Sequence, residues 1–130
     1  MLSDPYVKVY LMHEGVRHIK WKSSILKYSP VIPVEESFSV DIDRLNINNA
    51  YLEVLVLCHA RLGRNDIMGE VCIGPHSQQE SGRSHWSEMI LSPNQEFSKW
   101  HAFVPVDPNQ RRSRSKSPQD RIVRHRSGTV

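Results

Sequence analysis

Hydrophobic and polar residues alternate over positions 6–12, with Val7, Val9 and Leu11 facing one way and Tyr6, Lys8, Tyr10 and Met12 the other, the period of a strand. His13, Glu14 and Gly15 supply a turn. Arg17, Ile19, Trp21, Ser23 and Ile25 then alternate with His18, Lys20, Lys22 and Ser24, which predicts an antiparallel partner with a basic stripe. Pro30 and Pro33 interrupt regular pairing, and Phe38, Val40 and Ile42 alternate with Ser37, Ser39 and Asp41 in a further expected strand. Asn46, Asn48 and Asn49 mark a loop before 51–58, the most apolar run, whose length suits a central core strand better than a helix. Residues 61–66 are loop chemistry. Over 67–74 another strand is expected, with Gly69 relieving close packing or a bulge. Ser84 reads as an N-cap, and Trp86, Met89 and Ile90 fit a short amphipathic helix ending before Pro93. Trp100, Ala102 and Val104 predict a last strand. Closely spaced strands, turn signals and one late helix point to an all-β antiparallel sandwich.

Composition changes this picture at one end of the chain. Positions 1–106 carry 10 Lys/Arg against 12 Asp/Glu, whereas 107–130 carry 7 against 2, so the net charge of +3 is concentrated in the tail. That Arg/Ser-rich tail has too few large apolar residues to pack and is expected to be disordered, leaving 1–106 as the domain. No apolar run reaches the ~18 residues of a membrane span, and the first residues lack the features of a signal peptide. Two cysteines, Cys58 and Cys72, are too few for a disulfide framework, which favours a reducing compartment. With no G-x-S-x-G, P-loop or HExxH and no His paired to a nucleophile, the chain is not expected to be an enzyme.

Five blocks occur in a telling order: Ser3-Asp4-Pro5-Tyr6-Val7-Lys8-Val9-Tyr10-Leu11, Glu36-Ser37-Phe38-Ser39-Val40, Gly63-Arg64-Asn65-Asp66-Ile67-Met68-Gly69-Glu70-Val71, His85-Trp86-Ser87-Glu88-Met89 and Trp100-His101-Ala102-Phe103. Over roughly 3–104 the chain resembles the second C2 domain (C2B) of the synaptotagmin family. The resemblance implies an eight-stranded antiparallel sandwich whose end loops hold calcium and touch phospholipid. It also implies that the family's first two strands, central in one sheet, lie upstream of Met1, so a truncated C2B domain without a membrane anchor is expected.

The departures from the family pattern matter more. Calcium takes six to eight oxygen ligands, largely carboxylates. Asp4 and Asp66 match family aspartates, but two others are replaced by Cys58 and Ala60, with Arg61 and Arg64 adding positive charge nearby. A thiol and a methyl cannot replace hard oxygen ligands, so no calcium binding is expected at this degenerate site. Asp4 and Asp66 then read as loop caps. Cys58 with His59 does not make a metal site, and Cys58 is expected to be a buried thiol. No metal or other cofactor is expected.

The resemblance also gives the second strand a role in binding acidic phospholipid headgroups and SNARE proteins. Here the family's lysine-rich stretch reads Ile19-Lys20-Trp21-Lys22, leaving Arg17, His18, Lys20, Lys22 and Lys27, with Arg61 and Arg64, as candidate lipid or partner contacts. The alternative is a solvated strand face with a packed Trp21. Trp100, His101 and Phe103 resemble the family's WHxL docking motif, against the simpler reading that Trp100 and Phe103 close the sandwich, with Trp100 preferred as core. Arg111, Arg112, Arg114 and Lys116 in the tail could bind anionic lipid electrostatically, with Ser113, Ser115 and Ser117 as phosphorylation sites that would weaken it. No folded reader accompanies the tail, so specific nucleic-acid binding is not expected.

The functional expectation is a calcium-independent module of vesicle trafficking and exocytosis. It would bind acidic phospholipid membranes and SNARE or other C2 partners, including homo- or hetero-oligomers, and would be cytoplasmic and peripheral on vesicle or plasma membrane. The alternative is a protein scaffold with negligible lipid affinity.

Overall fold

The computed structural model describes residues 4–59 and 65–106. Five strands form one antiparallel sheet: β1 (Pro5–His13), β2 (Val16–Lys22), β3 (Ala50–His59), β4 (Asn65–Ile73) and β5 (Val104–Pro105), in the order β2-β1-β3-β4-β5. A single α-helix, α1 (Glu80–Leu91), and a short 3-10 turn (Ile47–Asn49) complete the regular structure among the described residues. The fold is thus the mainly antiparallel β architecture with one short helix that a C2-type sandwich requires.

The β1–β2 connection is a two-residue turn in which Glu14 (φ 52°) and Gly15 (φ 80°) are both left-handed, a conformation that matches the right-handed twist of the flanking strands. At its far end β2 stops at Lys22, short of the expected Ile25. The reason is local: the Ser23 hydroxyl accepts from Val7 N–H at 2.9 Å, and the Glu36 carboxylate accepts from Ser24 N–H. Ser23 N–H still donates to Val7 O at 2.8 Å, so side-chain oxygens there take over only the remaining donors of the ladder.

One face of the sheet carries the main core, where Val7, Val9, Leu11, Leu52, Val71 and Ile73 close around Trp86 of α1. Leu26, Val40, Ile42, Met89 and Ile90 pack against this cluster. The segment around Phe38, Val40 and Ile42, expected as a strand, packs Val40 and Ile42 against the core but leaves Phe38 exposed and forms no ladder. Alternation reports which way side chains face; a strand also needs a hydrogen-bonded neighbour, and none lies beside this segment among the described residues. The last expected strand likewise contracts to Val104–Pro105, paired with Gly69 and Glu70.

The second face is also packed. Tyr6 joins Leu55 and Leu57, while Met12 joins Tyr51 and Cys72. Helix α1 begins at Glu80, so its cap falls five residues before the expected N-cap Ser84. Gln79 is its N-cap without a side-chain cap bond; instead the Ser77 hydroxyl accepts from Gln79 N–H at 3.1 Å. The 107–130 tail and its proposed disorder lie outside the described residues.

Candidate functional site

The β1–β2 register sets Lys8 beside Lys22 and Tyr10 beside Lys20, and directly opposed residues share a face, so three lysines gather on one side of the hairpin. Lys22 Nζ stands 4.8 Å from the centre of the Tyr6 ring. Burial, and then the charges of Lys20, Lys22 and Arg17, hold the Lys8 ammonium below the usual lysine range. His18 occupies the bulge where the pairing shifts between Leu11 and Met12, and Lys27 lies beyond the strand on an exposed segment.

Arg17 belongs to this face but is committed elsewhere. Its guanidinium lies 4.0 Å from the Tyr10 ring centre and donates to Glu53 Oε1 at 3.3 Å, and the Glu53 side chain is only 4% exposed. Leaving that carboxylate buried without its cation would be costly. Arg17 therefore balances an acid in β3 and adds little free charge to the lysine cluster.

At one end of the sheet Pro5, Cys58 and Asp66 fall on the same rung of β1, β3 and β4. The neighbouring Asp4 uses Oδ1 to accept from Tyr28 N–H at 2.9 Å, so its carboxylate holds the segment that follows β2. Asp66 is exposed. Cys58 is half-buried rather than buried, and it lies next to the end of β3 rather than at its centre. Ala60, Arg61 and Arg64 lie outside the described residues. Within those residues no three His, Cys, Asp or Glu side chains converge to hold a metal.

In the Trp100-His101-Ala102-Phe103 segment Trp100, expected as core, faces outward. Trp100 is 66% exposed, whereas Phe103 lies so close over Gly69 that a Cβ there would fall 2.1 Å from its ring. His101 turns inward: Ser81 Oγ lies 2.8 Å from its Nδ1, its Nε2 lies 2.9 Å from His85 Nδ1, and His85 Nε2 lies 3.4 Å from the Phe97 carbonyl. The carbonyl can only accept, so His85 carries its proton on Nε2. Its Nδ1 must then accept from His101 Nε2–H, and His101 Nδ1 accepts from the Ser81 hydroxyl. This chain is complete when both rings are neutral.

Burial, then the neighbouring His85 and Lys99, push His101 from 6.5 down to about 4. Burial, with Lys99 second among the lowering influences, also holds His85 below its ordinary value. An unfolded chain takes up a proton on His101 near pH 6.5 while the folded one resists, so the stability present above that pH drains away as pH falls toward 4. Screening at these half-exposed rings limits the loss to about 1 kcal/mol. Denaturation midpoints measured across this range should fall for the wild type and stay flatter for His101→Gln.

Residues 1–89 match the C2 domain family model. This chain belongs to the C2 domain family. It is 38% identical over 106 residues to Synaptotagmin-A of Diplobatis ommata, covering 82% of this chain and 25% of that protein. Synaptotagmin-2 of Homo sapiens is 36% identical over 106 residues, again 82% and 25%. Synaptotagmin-1 of Rattus norvegicus is 38% identical over 102 residues, covering 78% of this chain and 24% of its own length. The chain spans about a quarter of the length of the curated relatives it matches.

Two features of this C2 domain escaped the sequence reading. Glu53 inside the apolar run 51–58 was the visible signal for a buried acid seeking a cation, and Ser81 and His85 one helical turn apart could have suggested a shared partner. Cys72 is buried, and burial above all pushes its thiol up to about 12, removing it from thiolate chemistry at neutral pH.

Proposed function

We propose that this synaptotagmin-related C2 domain is of the second (C2B) type and binds acidic phospholipid independently of calcium through the face bearing Lys8, Lys20 and Lys22, in vesicle trafficking and exocytosis. The observation that carries this reading is the convergence of these three lysines on one face, beside the aromatic rings of Tyr6 and Tyr10. Each lysine near an anionic membrane contributes about 1 kcal/mol, reduced by salt. Calcium independence is supported by Cys58 and Ala60 at family ligand positions and by the engagement of Asp4 with Tyr28. SNARE proteins and other C2 domains are the proposed protein partners, and a peripheral place on vesicle or plasma membrane follows from the lipid reading. No helix among the described residues is long and apolar enough to cross a membrane.

Co-sedimentation with phosphatidylserine vesicles, in calcium and in chelator, tests the proposal. Binding should be equal in both, fall with salt, and weaken about thirtyfold when Lys20→Gln and Lys22→Gln are combined, at about 1 kcal/mol for each charge. Undiminished binding by the double variant would defeat the lipid face. A calcium-induced rise would defeat calcium independence.

A further inference from the structure

β2 is the outermost strand of the sheet, so one row of its main-chain groups has no strand beyond it among the described residues. The ladder identifies that row. Ser23 N–H donates to Val7 O at 2.8 Å, making Val7 and Ser23 a hydrogen-bonded pair. Antiparallel alternation gives Val9 with Trp21 and Leu11 with Ile19 the same role, which turns the N–H and C=O of Lys20 and Lys22 outward.

The side chains are segregated along the same edge. Lys20 and Lys22 lie on the face shared with Lys8 and Tyr10. Ile19 and Trp21 lie on the other, where Ile19 is 43% exposed and Trp21 stacks on the exposed Phe38 at 4.8 Å between ring centres. An added strand would therefore meet cations at alternate positions and an apolar strip between them.

Charge selects the occupant. Edge lysines discourage pairing with neutral or basic strands. A second copy of β2 would set its outward-turned residues against their like, bringing ammonium groups together on one face, which is destabilising. A strand with carboxylates at those positions reverses the sign.

We propose that the β2 edge captures an extended acidic segment of a partner protein by strand addition, with its carboxylates beside Lys20 and Lys22 and its intervening apolar side chains against Ile19, Trp21 and Phe38. Main-chain hydrogen bonds supply affinity in this mode, and the alternating side chains supply selection. The contact is separable from the lipid reading because lipid headgroups need the lysine side chains but not their amides.

A short capped peptide alternating glutamate and valine, with a lysine-valine counterpart, provides the probe for the full chain. The glutamate peptide should bind, the lysine peptide should not, and saturation should slow amide exchange at Lys20 and Lys22. Lys20→Ala and Lys20→Pro remove the same charge, but proline also removes the outward N–H. Peptide affinity should therefore be about tenfold weaker for Lys20→Pro than for Lys20→Ala, while their binding to phosphatidylserine vesicles stays equal. Equal peptide affinity of the two folded variants, absence of binding by the glutamate peptide, equal binding of both peptides, or unprotected Lys20 and Lys22 amides at saturation would overturn strand addition. Should Lys20→Pro fail to fold, amide exchange in the unaltered chain decides.

Discussion

Trp86→Ala should destabilise the domain by about 3–5 kcal/mol, the usual cost of emptying a buried tryptophan site. Trp86 is 5% exposed and carries α1 onto the sheet through the cluster that includes Leu52, Val71 and Ile73. The remaining helix contacts, Met89 and Ile90, are only partly buried and cannot replace it. For a domain near 100 residues this loss lowers the melting temperature by about 12 °C or more. Denaturant titration and thermal unfolding measure it. A loss below about 1 kcal/mol would mean that α1 is not anchored through this ring.

Gly82→Ala should also destabilise, although in an exposed helix the same change is favourable by about 1 kcal/mol. Gly82 faces the sheet one turn before Trp86, and a Cβ there would lie 2.0 Å from the Cys72 carbonyl oxygen and 2.7 Å from Ser77 Oγ. The nearest obstacle is main chain of β4, so a rotamer change cannot relieve it. The overpacking costs about 4 kcal/mol, above its usual range for that reason, leaving a net loss of about 3 after the propensity gain. Equilibrium unfolding of Gly82→Ala decides the sign, and a stabilised variant would show that helix and strand do not approach this closely.

These two residues also show how far the sequence could be read. The spacing of Trp86, Met89 and Ile90 placed a helix and its buried side, but the four earlier residues held no apolar signal. Gly82 looks like a weak helix residue until the β4 main chain is seen against it. Trp100 shows a different limit. Alternation over 100–104 was present, but period alone does not say which set faces inward, and size favoured the tryptophan. The space over Gly69 accepted Phe103, the Ser81 and His85 side chains met His101, and Trp100 was left outward. The basic face was legible as a list of cations, yet Arg17 could not be distinguished from Lys20 and Lys22 until Glu53 was found beneath it.

By itself the sequence determined the β1–β2 hairpin, the apolar strand β3 and the presence of a helix before the last strand, because residue period and turn chemistry act over a few neighbours. It also determined the substitution of Cys58 and Ala60 for carboxylates, which is a matter of atoms rather than arrangement. Tertiary structure alone decided which cations remain free, that His101 rather than Trp100 turns inward, and that Val40 and Ile42 pack against the core without joining a ladder. Those outcomes depend on partners 15 or more residues away, and a residue's own neighbourhood in the chain carries no record of who will stand across from it.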